Sequence, residues 1–84
     1  MLVCKNVIVN GRRTSMRLDE ETWKCLSNIC EKEGLSIHEL CSRVDMTRGN
    51  SGLSHAVRLF VLTYLEHLIN QYKSTMSGTP LKFT

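Results

Sequence analysis

The sequence predicts a small, mainly helical domain with a short β-ribbon at its front. Three observations carry that expectation. A two-sided alternating stretch follows an Asn-Gly pair, two amphipathic segments are bounded by helix start and stop residues, and a third segment is apolar almost all the way round. With 84 residues, the chain has room for one domain and excludes a multi-domain enzyme. Its 42% hydrophobic and 23% charged residues suit a folded core rather than disorder.

The first element is a run of β-branched residues from Val7 to Val9, followed by Asn10-Gly11, the strongest short-range signal for a tight turn. The spacing leaves two arrangements open for residues 3–9: a strand folded back as a hairpin, or an N-terminal arm. After the turn, Thr14, Met16 and Leu18 share one parity and Arg13, Ser15 and Arg17 the other. In a strand the two sets face opposite ways, the first toward a core and the second toward solvent or a ligand.

A first helix is expected from Glu20, capped by Asp19 and ended by Gly34, with Trp23, Leu26, Ile29 and Cys30 as its apolar stripe. Ser36-Ile37-His38-Glu39 is a capping box that opens a second helix, which brings Ile37, Leu40, Cys41 and Val44 to one side until about Asp45. Gly49, Asn50, Ser51 and Gly52 then mark a loop, and Ser54 is expected to cap a third helix running to about Tyr72. That helix offers so little polar face that one small subunit can hardly surround it, so a homodimer is expected. Residues 1–73 are taken as the domain and 74–84, with Gly78 and Pro80, as a flexible tail.

Net charge is +3, but it is unevenly spread: Lys5, Arg12, Arg13 and Arg17 stand in the first eighteen residues with no acid. Such a cluster suits a polyanion. The front of the chain lacks the long apolar run of a secretory leader or membrane span, so Cys4, Cys25, Cys30 and Cys41 are expected to be free thiols in a cytoplasmic protein. Their spacing suits no zinc site, and no metal or other cofactor is expected. There is no nucleophile elbow, phosphate loop or histidine-carboxylate set, so no catalytic residue is assigned and enzymatic activity is not expected.

The stretch Arg13 to Leu40, RTSMRLDEETWKCLSNICEKEGLSIHEL, resembles the ribbon-helix-helix DNA-binding superfamily of Arc, MetJ and CopG type. GRRTSMRL, Trp23 and the apolar VRLFVLTYL look closer still to an extended subfamily of small bacterial members. The resemblance implies an intertwined homodimer in which one strand from each subunit pairs antiparallel and the ribbon enters the major groove of double-stranded DNA, most simply as a transcriptional repressor. It places Arg13, Ser15 and Arg17 on base edges. Phosphate contacts fall to Arg12, to Lys5 if the front is an arm, and to the start of the second helix, where Ser36 and the backbone N–H groups of Ile37 and His38 form a clamp. The alternative is an antitoxin or interaction module whose apolar third helix engages a protein partner.

Overall fold

The computed structural model describes residues 1–75. Its order is β1 (Leu2–Val9), β2 (Arg12–Asp19), α1 (Glu20–Glu33), α2 (Ile37–Thr47) and α3 (Leu53–Thr75). Of the two arrangements open for the front, the hairpin is formed: β1 pairs antiparallel with β2 from Leu2↔Asp19 to Val9↔Arg12. Asn10 and Gly11 both take positive φ, 49° and 83°. Those angles make a type I′ turn, whose twist matches that of the flanking strands. The strand pair that the resemblance assigns to two subunits is therefore closed within one chain.

The hairpin lies on the helices by its even-odd sidedness. Val7, Val9, Met16 and Leu18 are buried, and Thr14 is half-buried on the same side. They meet Trp23, Leu26, Ile29 and Cys30 from α1, Leu40, Cys41 and Val44 from α2, and Val57 and Val61 from α3 in one core. Both expected stripes of α1 and α2 are thus the ones that pack. Trp23 acts as an anchor, its indole N–H donating to the Val3 carbonyl at 2.8 Å. That bond ties the start of β1 to α1.

Gly34 stops α1 in the left-handed region, at φ 69°. Gly34 N–H donates to the Glu31 carbonyl and Leu35 N–H to the Cys30 carbonyl. This is the double bond pattern that satisfies the last carbonyls of a helix, and a Cβ would strain it. The capping box of α2 is complete, with Glu39 N–H donating to Ser36 Oγ and Ser36 N–H to Glu39 Oε1, both at 3.1 Å.

Two expected caps are not made. Asp19 occupies the position before α1, but its side chain makes no capping hydrogen bond. Ser54 lies inside α3, which already begins at Leu53 with Ala56 N–H donating to the Gly52 carbonyl, and its hydroxyl accepts from the hairpin instead. The burial of the third helix is one-sided, as expected of a helix that one small subunit can hardly surround. Val57 and Val61 are buried, whereas Leu59, Leu62, Leu65, Ile69 and Tyr72 are exposed, so a single chain surrounds one side of α3. Residues 74 and 75 belong to α3, and the rest of the expected tail, 76–84, lies outside the described residues.

Candidate nucleic-acid interface

The face of the hairpin turned away from the helices is built by strand alternation alone. Because the turn has two residues, the flanking Val9 and Arg12 are a hydrogen-bonded pair, and alternate pairs outward from it are not. Arg13, Ser15 and Arg17 on β2, with Cys4, Asn6 and Ile8 on β1, therefore share one surface, and all six are exposed. The structure brings the three expected base-facing residues together in a row. Among the described residues, neither the Arg13 nor the Arg17 side chain has an ion-pair or hydrogen-bond partner. Two unneutralised guanidinium groups on this surface present ten N–H donors to whatever approaches.

The same pairs that carry these side chains turn their backbone groups toward the sheet edges, and the helices cover those edges. On β1, Ile8 N–H donates to His38 Nδ1 at 2.9 Å, and just beyond it the turn residue Asn10 donates its N–H to Ser42 Oγ at 3.0 Å. On β2, Arg17 N–H reaches Ser54 Oγ at 3.4 Å. One edge thus abuts the start of α2 and the other the start of α3. Both strand edges are blunted by a polar side chain near a helix N-terminus, which limits adventitious strand addition and ties the hairpin to the helices.

His38 has a specific job in this frame. Accepting at Nδ1 requires that nitrogen to be unprotonated, so the neutral ring carries its proton on Nε2. His38 is exposed at the surface and also holds the strand through this bond. Its backbone N–H, with that of Ile37, remains without a partner among the described residues. The carboxylate of Glu39 stands at the same helix end through its bond to Ser36 N–H, so it shares the positive end of the helix with any incoming anion.

Lys5 and Arg12, expected on phosphates, lie on the opposite side of the sheet from Arg13, Ser15 and Arg17. They have the parity of Met16 and Val7. Lys5 Nζ sits 5.0 Å from the centroid of the Trp23 ring, a cation-π contact. Arg12 is near Asp45, whose carboxyl is held below its ordinary range first by the hydrogen bond from Arg48, then by one from Asn10, and further by the Arg48 and Arg12 charges. Asn10 also spends its side chain there, donating to Asp45 Oδ2 at 3.0 Å, so the turn residue doubles as a strut between the hairpin and α2.

Sequence reasoning missed Asn6. It stands opposite Ser15, and the Ser15 hydroxyl donates to Asn6 Oδ1 at 3.0 Å. Counting outward from the Asn-Gly turn would have found it, once the front was taken as a hairpin.

A thin antiparallel ribbon, basic on its free face and carried on a helical base, defines a small ribbon-on-helices binding domain. The chain belongs to the ribbon-helix-helix family: the family model described as "Ribbon-helix-helix domain" matches residues 2–65. That family generally binds DNA, dimerises and often acts in transcription regulation. The search of curated proteins and the search of solved structures gave no match to this chain. Among the described residues, no group of three or more potential metal ligands occurs, and no helix is long and apolar enough to cross a membrane.

Proposed function

We propose that this protein binds double-stranded DNA sequence-specifically, with the outer face of the β1-β2 hairpin in the major groove, and acts as a cytoplasmic, bacterial transcriptional repressor. The observation that carries this reading is the row of Arg13, Ser15 and Arg17, exposed, unpaired in charge and fixed in register by the hairpin. A two-stranded ribbon fits the width of a major groove, about 12 Å, and an arginine there can grip guanine O6 and N7 together. The start of α2 lies along the β1 edge, where the free N–H groups of Ile37 and His38 suit a phosphate of the groove wall.

The reading includes a homodimer. The exposed apolar side of α3, with Leu59, Leu62, Leu65, Ile69 and Tyr72, is surface that a second subunit would remove from water. Two hairpins would then meet successive half-sites. The same surface favours one competing use, an interaction module whose α3 engages a different protein. Light scattering together with an exposed-hydrophobe dye separates the two: a dimer without dye uptake supports self-association, and a monomer with uptake supports a missing partner.

The principal experiment is selection of bound duplexes from a random DNA pool. The expected result is a motif with a repeated half-site, bound with strong salt dependence and weakened when Arg13 is replaced by Ala. Recovery of unenriched sequence, or equal affinity for selected and random duplexes, refutes sequence-specific binding.

A further inference from the structure

Strand β1 carries a polar side chain onto the DNA-facing surface in a fixed orientation, and its chemistry matches one base. We propose that Asn6 is a specificity-determining residue that reads adenine, with Ser15 as the residue that positions it. This rests on the reading of the hairpin face as a DNA-binding surface.

Three observations support the assignment. Asn6 is exposed on the same face as Arg13 and Arg17, at the pair between Ile8↔Arg13 and Cys4↔Arg17, and so at the centre of the row. Pairs of this kind in an antiparallel ladder are the close ones, with Cα atoms about 4.5 Å apart, so the two side chains meet over the sheet. Finally, Ser15 Oγ donates to Asn6 Oδ1 at 3.0 Å.

That hydrogen bond distinguishes the two ends of the carboxamide. Oδ1 keeps one lone pair, and the Nδ2 amide group keeps both of its N–H donors, with no partner for either among the described residues. A group that donates and accepts side by side matches adenine, whose N7 accepts and whose N6 amino group donates in the major groove. Guanine offers two acceptors at the corresponding positions and leaves Oδ1 unanswered. The Ser15 hydroxyl is already directed to Asn6, so Ser15 contributes orientation to the reading.

The test compares motifs selected from a random duplex pool by the full-length wild type, Asn6→Ala and Asn6→Asp, with thermal melting of each as a fold control. Asn6→Ala is expected to erase an adenine preference of about 5- to 150-fold at one position per half-site, leaving the others intact. Asn6→Asp, nearly the same shape but acceptor-only, is expected to move that position toward cytosine, whose N4 amino group donates. A wild-type motif that Asn6→Ala leaves unchanged, or alters at a position not favouring adenine, overturns the role of Asn6 while DNA binding stands. Absence of any wild-type motif overturns the DNA reading itself, and this assignment with it.

Discussion

Adjacent residues on β2 have opposite tasks, so replacing Met16 and Arg17 one at a time probes the two faces directly. Met16 is 0% exposed in the core, and Met→Ala at a buried site costs about 2–5 kcal/mol through lost burial and a residual cavity. A domain of this length has about 4–13 kcal/mol of stability in all, at roughly 0.05–0.15 kcal/mol per residue. Each kcal/mol moves the melting midpoint by about 4–8 °C, so Met16→Ala is expected to melt at least about 8 °C below wild type. Arg17→Ala keeps the backbone N–H that reaches Ser54 Oγ and removes an exposed side chain, so stability stays within about 0.5 kcal/mol. Its cost is expected in binding, about 1–3 kcal/mol, or a 5- to 150-fold weaker Kd on the selected duplex. Circular dichroism melts read the first quantity, and fluorescence anisotropy reads the second. If Arg17→Ala unfolds like Met16→Ala, or Met16→Ala melts like wild type, the two-faced account of β2 is refuted.

The remaining expectations concern the supports of this surface. Ser36→Ala removes half of the capping box and should lower stability by about 1 kcal/mol, read as a drop of about 4–8 °C in melting midpoint, and an unchanged midpoint would deny α2 its cap. Asp45 is held below its ordinary value of 3.8, chiefly by the Arg48 hydrogen bond. The stability it contributes is therefore present above the unfolded range and lost as pH falls through the lowered folded value. Asp45→Asn should accordingly flatten the acid limb of a stability-pH profile below about pH 4, and an identical limb would count against the contact. Burial pushes the Cys41 thiol up to about 11, with Cys30 adding to the rise, whereas Cys4 is exposed. Alkylation of native protein at pH 8 followed by mass spectrometry should thus label Cys4 and spare Cys41; early labelling of Cys41 would contradict its burial.

Local patterning was enough for much of this molecule. The alternation of Arg13 to Leu18 reports which side chains face the core because strand geometry has a period of two whatever the strand packs against. Gly34 and the Ser36–Glu39 box mark helix ends through bonds made within a few residues. Such features are decided by neighbours along the chain, so they are visible in it. The tertiary structure decided what depends on distant partners. Whether residues 3–9 form an arm or a strand turned on burying Val7 and Val9 against α2, and Asn6 joined the candidate site only through that pairing. His38 became a strand anchor because Ile8, thirty residues earlier, lay within reach, and Ser54 left its expected cap for Arg17. The apolar run of α3 told that one small chain could hardly cover it, without telling which side that chain buries. One helix side packs and the other stays open, since a core closes by the supply of partner surface, a quantity that no local pattern contains.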